Sequence, residues 1–198
     1  MLKKEIIWRE ILYQALEKKN REFTQKKLAE KFKFSTSTVF NALILPRKSG
    51  ACKVKGRGFR LIDPEKLLYI WASFRNIKKD IIYQTRVEES IIEIENLMPP
   101  SVIYGGYSAF RKKFKEVPAD YDKVYVYLDL RNLSEIKRRF PPKRGYPNLF
   151  VLKSDKFLKT YGKLTPIGQM FVDIWNLEDW YSKEFINALK EKINELLA

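Results

Sequence analysis

Two stretches of the sequence have residue types suited to binding phosphate groups. The first runs from the consecutive hydroxyl residues 35–38 to basic residues on both sides of a Gly-Arg-Gly sequence at 56–58. A helix that starts at such hydroxyl residues offers free N–H groups and a positive dipole end to a phosphate, and Lys and Arg neutralise phosphate charge. The second has adjacent glycines at 105–106, between a predicted strand and a predicted helix, where backbone N–H groups can surround a phosphate.

The charge balance favours a polyanionic partner. The chain has 39 Lys and Arg against 24 Asp and Glu, which gives a net charge of +15. Residues 1–75 contain 18 of the basic and 7 of the acidic residues, so most of the excess lies there. Surfaces this basic bind nucleic acid or anionic membranes, but no apolar run reaches the length of a transmembrane span. We therefore expect a nucleic-acid surface in the first part of the chain and no membrane partner.

Residue types that are rare in the chain limit its chemistry further. The sequence has no histidine, the usual general base, and its one cysteine, Cys52, excludes an intramolecular disulfide and most zinc sites. We therefore expect no metal and no cofactor at the first stretch. The single cysteine and an N-terminus without a signal-peptide core indicate a cytoplasmic protein. Abundant Lys and Glu with few Gln and Cys are typical of thermophilic proteins.

Three predicted helices position the first stretch. Apolar residues at helical spacing predict helices over residues 3–18 and 25–32, and a third from Ser35 to about Leu45. Ser35 is suited to capping the third helix, and its predicted buried side includes Phe40. Pro46 is predicted to end it, because proline lacks the backbone N–H that a helix interior needs.

A hairpin and a change of pattern complete the predicted organisation. Alternating runs at 51–55 and 59–62 flank a glycine-containing turn, which indicates a β-hairpin, and a strongly apolar fourth helix follows. Near residues 75–80 the pattern changes to alternating strand and helix candidates. The sequence therefore predicts an α+β fold with two domains: residues 1–76, and an α/β domain with a small mixed sheet at about 80–198. The strands predicted in the second domain are 81–85, 102–104, 124–130 and 149–152.

The order of helices, tight turn and hairpin in the first domain resembles the winged helix-turn-helix of bacterial and archaeal regulators. The similarity is most specific over residues 23–43, where such regulators share a pattern of apolar, hydroxyl and small residues. This resemblance implies sequence-specific binding of double-stranded DNA in transcriptional control, by a repressor or an antitoxin-type autoregulator. The residues at the pattern positions are Thr24, Leu28, Ala29, Phe32, Phe34, Ser35, Thr38, Val39 and Leu43.

The same resemblance implies which residues face the DNA. The hydroxyl groups at the start of the third helix would meet phosphate, and short polar side chains on its outer face, such as that of Asn41, would point toward base edges. The basic residues of the hairpin would approach a groove. Because operators are commonly palindromic, a homodimer is a candidate assembly. The predicted DNA-binding residues are Ser35, Thr36, Ser37, Thr38, Asn41, Arg47, Lys48, Lys53, Lys55, Arg57 and Arg60.

The second stretch is similar to a nucleotidyltransferase pattern, in which a glycine turn and a helix precede an Asp-x-Asp sequence that holds Mg²⁺. The chain departs from this pattern at Lys123, where that family prefers an apolar residue, and neither Asp129 nor Asp155 is clearly placed as the third carboxylate. The resemblance implies an enzyme with an attached winged helix as the alternative function. Its catalytic residues would be Asp120 and Asp122, and its nucleotide-binding residues Gly105 and Gly106.

A third resemblance covers both domains. Residues 106–110 and 164–173 are similar to two segments of the AbiEi-like antitoxin regulators of type IV toxin–antitoxin systems, which join a winged helix to an α/β domain. Gln169 and Met170 stand where that family has Thr-Leu. The resemblance implies an autoregulator of its own operon with a partner protein of nucleotidyltransferase type. A DNA-binding regulator, an enzyme and a pure protein-interaction module thus remain as three hypotheses.

Overall fold

The computed structural model describes all 198 residues and shows a mixed α+β fold with nine α-helices and two small sheets. The chain forms two compact units, of which the first comprises residues 1–75, 166–172 and 189–198, and the second the remainder. The division after residue 75 lies within the predicted boundary region. The sequence predicts a continuous second domain up to residue 198, but residues 166–172 and 189–198 belong to the first unit. No helix combines the length and the apolar character that crossing a bilayer requires.

Four helices near the N-terminus form the frame of the first unit. The side chains of Thr24, Ser35 and Asp63 each accept a hydrogen bond from the backbone N–H three residues further on, which satisfies a donor that the helix itself leaves free. The predicted cap at Ser35 is therefore confirmed. The helices are α1 (Lys3–Glu17), α2 (Gln25–Phe32), α3 (Thr36–Lys48) and α4 (Pro64–Phe74).

The prediction that Pro46 ends α3 is wrong, because the helix continues to Lys48. A proline at this position cannot donate to the carbonyl of Ala42, four residues earlier. The indole Nε1–H of Trp8 donates to that carbonyl instead, at 2.8 Å. A side chain on α1 thus satisfies the group that the proline leaves unpaired, and α3 keeps its last turn.

The predicted hairpin is confirmed, and a short strand joins it. Strand β2 (Cys52–Lys55) pairs antiparallel with β3 (Gly58–Leu61), and β1 (Glu22–Phe23), which the sequence did not indicate, pairs with the other side of β3. β1 approaches β3 so closely that residue 58 must be glycine, since a Cβ there would lie 2.3 Å from the carbonyl oxygen of Phe23.

The two C-terminal segments of the first unit belong there because their side chains complete its packing. In the first segment, buried Gln169 accepts a hydrogen bond from Arg9 on α1 at 3.2 Å, and the ring centre of Phe171 lies 5.9 Å from that of Tyr69 on α4. In the second segment, the Nζ of Lys190 lies 5.6 Å from the centre of the same Tyr69 ring. These contacts join residues about 100 to 160 positions apart, so no local pattern in the sequence could reveal them.

The second unit is built on a four-stranded mixed sheet in the order β4-β7-β6-β5. The central pair β6 and β7 is parallel and both outer pairs are antiparallel, so the expected small mixed sheet is present. All four strands predicted for this part of the chain are found, with differences of a few residues at their ends. The strands are β4 (Ile81–Thr85), β5 (Ile103–Gly105), β6 (Val124–Leu128) and β7 (Leu149–Lys153).

Both faces of this sheet are covered at its central strand β6. The residues of β6 are all buried: Val124, Val126 and Leu128 belong to the apolar core cluster, while Tyr125 and Tyr127 point to the opposite face. Tyr127 donates a hydrogen bond to Asp173 at 2.5 Å. The remaining helices are α5 (Ile91–Asn96), α6 (Gly106–Phe114), α7 (Leu133–Arg139), α8 (Ile167–Trp175) and α9 (Ser182–Leu197).

Candidate nucleic-acid interface

The start of α3 presents an exposed group of hydroxyl side chains. The Oγ of Ser35 accepts a hydrogen bond from the backbone N–H of Thr38 at 3.2 Å and lies 2.9 Å from the hydroxyl oxygens of both Ser37 and Thr38. Residues 35–37 are exposed and Thr38 is half-buried. The first turn of a helix also has N–H groups that no helical carbonyl can reach, so this end of α3 can bind an anion such as phosphate.

The hairpin carries its basic residues on one exposed face. Lys53 lies directly opposite Arg60 in the antiparallel register, and Lys55 follows on the same side of β2. Opposed like charges destabilise a sheet unless an anion screens them. Exposed Arg57 lies at the tip beside Gly56, whose φ of +54° favours glycine. The hairpin is therefore an arrangement that a bound polyanion would stabilise.

Sequence reasoning missed one acidic residue on this face. Glu22 of β1 is paired in register with Arg60, and its Oε1 lies 2.7 Å from the Nζ of Lys55. The hydrogen bond and charge of Lys55 hold the pKa of Glu22 below its ordinary value, so this carboxylate is ionised at neutral pH. A two-residue strand has too little alternation to be found from sequence, so nothing there indicated that Glu22 would meet the hairpin.

A cleft of about 350 Å³ lies between the hairpin and the start of α2. It brings together three cationic side chains from different elements, one of which, Lys27, sequence reasoning did not select. The exposed Lys27 follows Thr24, whose side chain caps α2. The residues that line the cleft are Glu22, Phe23, Thr24, Lys27, Lys55, Arg57, Gly58 and Phe59.

The outer side of α3 differs from its predicted character. Asn41 is exposed as predicted, but Phe40, predicted to be buried, is 48% exposed. The guanidinium of Arg47 lies 5.4 Å from the centre of the Phe40 ring, and its Nε is buried without a hydrogen-bond partner. Lys48, one position further, is exposed. Aromatic and cationic side chains thus share this side of the helix.

The eleven predicted DNA-binding residues all lie in the first unit. Nine are exposed, and Thr38 and Arg47 are half-buried. They fall into three groups: the hydroxyl start of α3, its basic C-terminal end, and the hairpin. A ligand in solution can therefore reach nearly all of them.

The glycines of the second stretch are buried under aromatic rings. A Cβ at Gly105 would lie 2.9 Å from the ring of Tyr127, and one at Gly106, where φ is +50°, would lie 3.5 Å from the ring of Tyr125. The close approach of Tyr127 thus explains Gly105, and the left-handed backbone conformation explains Gly106. This packing gives the glycines a structural reason that does not involve phosphate.

The acidic residues of the second stretch do not form a cluster. Asp120 and Asp122 are exposed, and the Oδ1 of Asp122 accepts a hydrogen bond from the hydroxyl of Tyr181 at 2.6 Å. Nowhere in the chain do three His, Cys, Asp or Glu side chains lie close enough to hold a metal ion. The nearby Asp179 pairs with Lys123 and accepts from Tyr107 at 2.9 Å. The convergence of three carboxylates that a nucleotidyltransferase requires is not found.

We predict that Cys52 resists alkylation in the folded protein. Its side chain is 3% exposed, and burial raises the pKa of its thiol from the ordinary 9.0 to about 11, which leaves about a hundredfold less of the reactive thiolate. Iodoacetamide at pH 8 should therefore modify it at least a hundredfold more slowly than in urea, measured by mass spectrometry. Equal rates in the two conditions would contradict the burial of the Cys52 side chain.

No family model matches this chain, and it shows no significant similarity to a curated protein or to a solved structure.

Proposed function

We propose that the first unit is a winged helix-turn-helix domain that binds double-stranded DNA, and that the protein is a sequence-specific transcriptional regulator of the repressor or antitoxin type. The observation that carries this proposal is the exposed cationic face of the β2–β3 hairpin, with Lys53 opposite Arg60 and Arg57 at the tip. In this proposal β2 and β3 form the wing, and α3 is the recognition helix.

The electrostatics of the hairpin support a polyanion as the ligand. Opposed cations repel each other, and the one acidic side chain on this face, Glu22, is already engaged with Lys55. Phosphates along a duplex would neutralise the remaining charges and release condensed counterions. The charge arrangement thus favours a ligand with closely spaced phosphates.

The two ends of α3 have complementary roles in this proposal. The hydroxyl and N–H groups at Ser35–Ser37 bind one backbone phosphate, and Lys48 meets the backbone at the other end of the helix. Between them the exposed amide of Asn41 is free to bond a base edge, where Asn pairs well with adenine. The phosphate contacts fix the position of α3 along the duplex, and the side chains in the middle of the helix distinguish one base sequence from another.

The proposal is tested by measuring affinity for a labelled mixed-sequence duplex by fluorescence anisotropy over about 50 to 300 mM KCl. With roughly 6–10 phosphate contacts, log K should fall with log salt with a slope of about −5 to −9. The single strand of the same sequence is the control and should bind more weakly. Absence of duplex binding at the lowest salt would leave the protein-interaction hypothesis in its place.

We predict that Glu22→Gln tightens duplex binding. The substitution removes a negative charge from the cationic face and frees Lys55, so affinity at about 100 mM salt should rise roughly fivefold, close to the gain from one phosphate contact. Glu65→Gln makes the same change at an exposed position on α4 and is the matched control. A gain from Glu65→Gln as large as that from Glu22→Gln would show that only net charge matters.

A further inference from the structure

Three apolar side chains are exposed on α3, which is unusual for a helix that otherwise packs into a core. Phe40, Ile44 and Leu45 are 48%, 39% and 38% exposed. The exposed face of α3 follows positions three or four apart, namely residues 37, 41, 44 and 48. Ile44 therefore lies in the middle of this face, and Phe40 lies beside it. Leu45 is turned about 100° further round the helix, so we call Phe40 and Ile44 alone the apolar strip.

Cations and hydroxyl groups surround this strip, and acids are absent from its neighbourhood in the sequence. Arg47 lies over the ring of Phe40, Lys48 is exposed at one end of the helix, and the hydroxyl residues 35–37 are exposed at the other. Residues 31–62 contain eight Lys and Arg and no Asp or Glu. A ligand that matches this surface is anionic at its margins and apolar at its centre.

The major groove of a duplex rich in thymine has this distribution, because phosphates line its edges and thymine C5-methyl groups project from its floor. Phe40 and Ile44 are four residues apart, which places them about 6 Å apart along the helix axis, close to two base-pair steps of about 3.4 Å. Both side chains can therefore meet methyl groups on base pairs near each other.

We propose that the apolar strip reads pyrimidine C5-methyl groups in the major groove, so that this protein prefers sites with thymines at two neighbouring positions. This inference rests on the proposed function and specifies its sequence preference. Phe40 and Ile44 make the methyl contacts, and Arg47, held against the Phe40 ring, keeps that ring on the outer side of α3.

The experiment compares synthetic duplexes that differ only in C5-methyl groups. The probes are about 24 base pairs of alternating dA-dT, the same duplex with deoxyuridine for thymidine, alternating dG-dC, and the same duplex with 5-methylcytosine. Each contacted methyl should contribute about fourfold in affinity, so two should give on the order of tenfold. The wild type should therefore bind dA-dT and methylated dG-dC about tenfold more tightly than their unmethylated counterparts.

The variant Phe40→Ala/Ile44→Ala should bind all four duplexes with less than a twofold methyl preference, and with an unchanged dependence on salt. Ile62→Ala, which shortens a side chain that is also 48% exposed but lies outside α3, should keep the full preference. Circular dichroism should show that both variants are folded.

Two results would overturn the inference alone. The first is salt-dependent duplex binding by the wild type without a methyl preference. The second has two parts: the wild type sediments as a dimer that Phe40→Ala/Ile44→Ala dissociates, and the variant keeps the methyl preference. A second copy of the chain, and not DNA, would then cover the strip. Lack of binding to any duplex at low salt would instead overturn the proposed function on which the inference rests.

Discussion

Replacement of Lys53, Arg57 and Arg60 by alanine together is expected to lower duplex affinity at about 100 mM salt by a factor on the order of 10² to 10³. Each lost phosphate contact removes about 0.9 from the slope of log K against log salt, so three should make it shallower by about 2.7. The three side chains are exposed on the β2–β3 hairpin, and none of them is part of the core. Anisotropy titrations over a range of salt measure both quantities.

The matched control removes the same charge elsewhere. Lys153, Lys156 and Lys159 are three exposed lysines of the second unit, and their replacement by alanine lowers the net charge of the chain equally. Affinity should then change by less than about fivefold, through the long-range field alone. Equal losses for the two triple variants would mean that the hairpin has no special contact with DNA.

Trp8→Ala is expected to lower the free energy of unfolding by about 3 to 5 kcal/mol, the range for loss of a large buried aromatic side chain. Trp8 is 2% exposed, its ring lies 5.8 Å from that of Phe74, and its Nε1–H donates to the carbonyl of Ala42. That carbonyl cannot be satisfied within α3 because residue 46 is proline. The substitution therefore leaves both a cavity and an unpaired acceptor, which urea denaturation followed by circular dichroism should detect.

Two further variants separate these contributions. Trp8→Phe keeps an aromatic ring but removes the donor, so it should lose about 1 to 3 kcal/mol from the unsatisfied carbonyl. Trp180→Ala changes a side chain that is 80% exposed and should lose less than about 0.5 kcal/mol. If Trp8→Ala were no more destabilising than Trp180→Ala, α1 would not support α3 in the way described.

The parts of the fold that follow from local rules could be predicted from sequence. The caps at Thr24, Ser35 and Asp63, the hairpin around Gly56 and the alternation in β6 are each set by residues within a few positions of one another. A cap or a turn requires only a short segment, so the same residue types form it in different proteins.

The predictions that failed each depended on a distant partner. Helix α3 passes through Pro46 because Trp8, on another helix, takes the freed carbonyl. Strand β1 exists because β3 offers an open edge, and it brings Glu22 to the hairpin. Residues 166–172 join the first unit through contacts with α1 and α4, and residues 189–198 through the contact of Lys190 with Tyr69 on α4. None of these partners can be found by reading along the chain.

The candidate site shows the same division between local and distant causes. The basic residues of the hairpin and the hydroxyl start of α3 were selected from their residue types and from the resemblance to winged-helix regulators, and the structure leaves most of them accessible. The exposure of Phe40 was missed because an aromatic residue next to buried Val39 fits a helix core equally well in sequence. Similarly, Gly105 and Gly106 suit a phosphate loop in sequence, but their neighbours in space are Tyr125 and Tyr127.

The central claim is that α3 and the hairpin together form the surface that binds DNA, and amide hydrogen exchange with and without a saturating duplex tests it directly. The account predicts slower exchange in the duplex complex at residues 36–48 and 52–61, with little change over the sheet of the second unit. Unchanged exchange in both segments, with protection confined to residues 76–165, would contradict it.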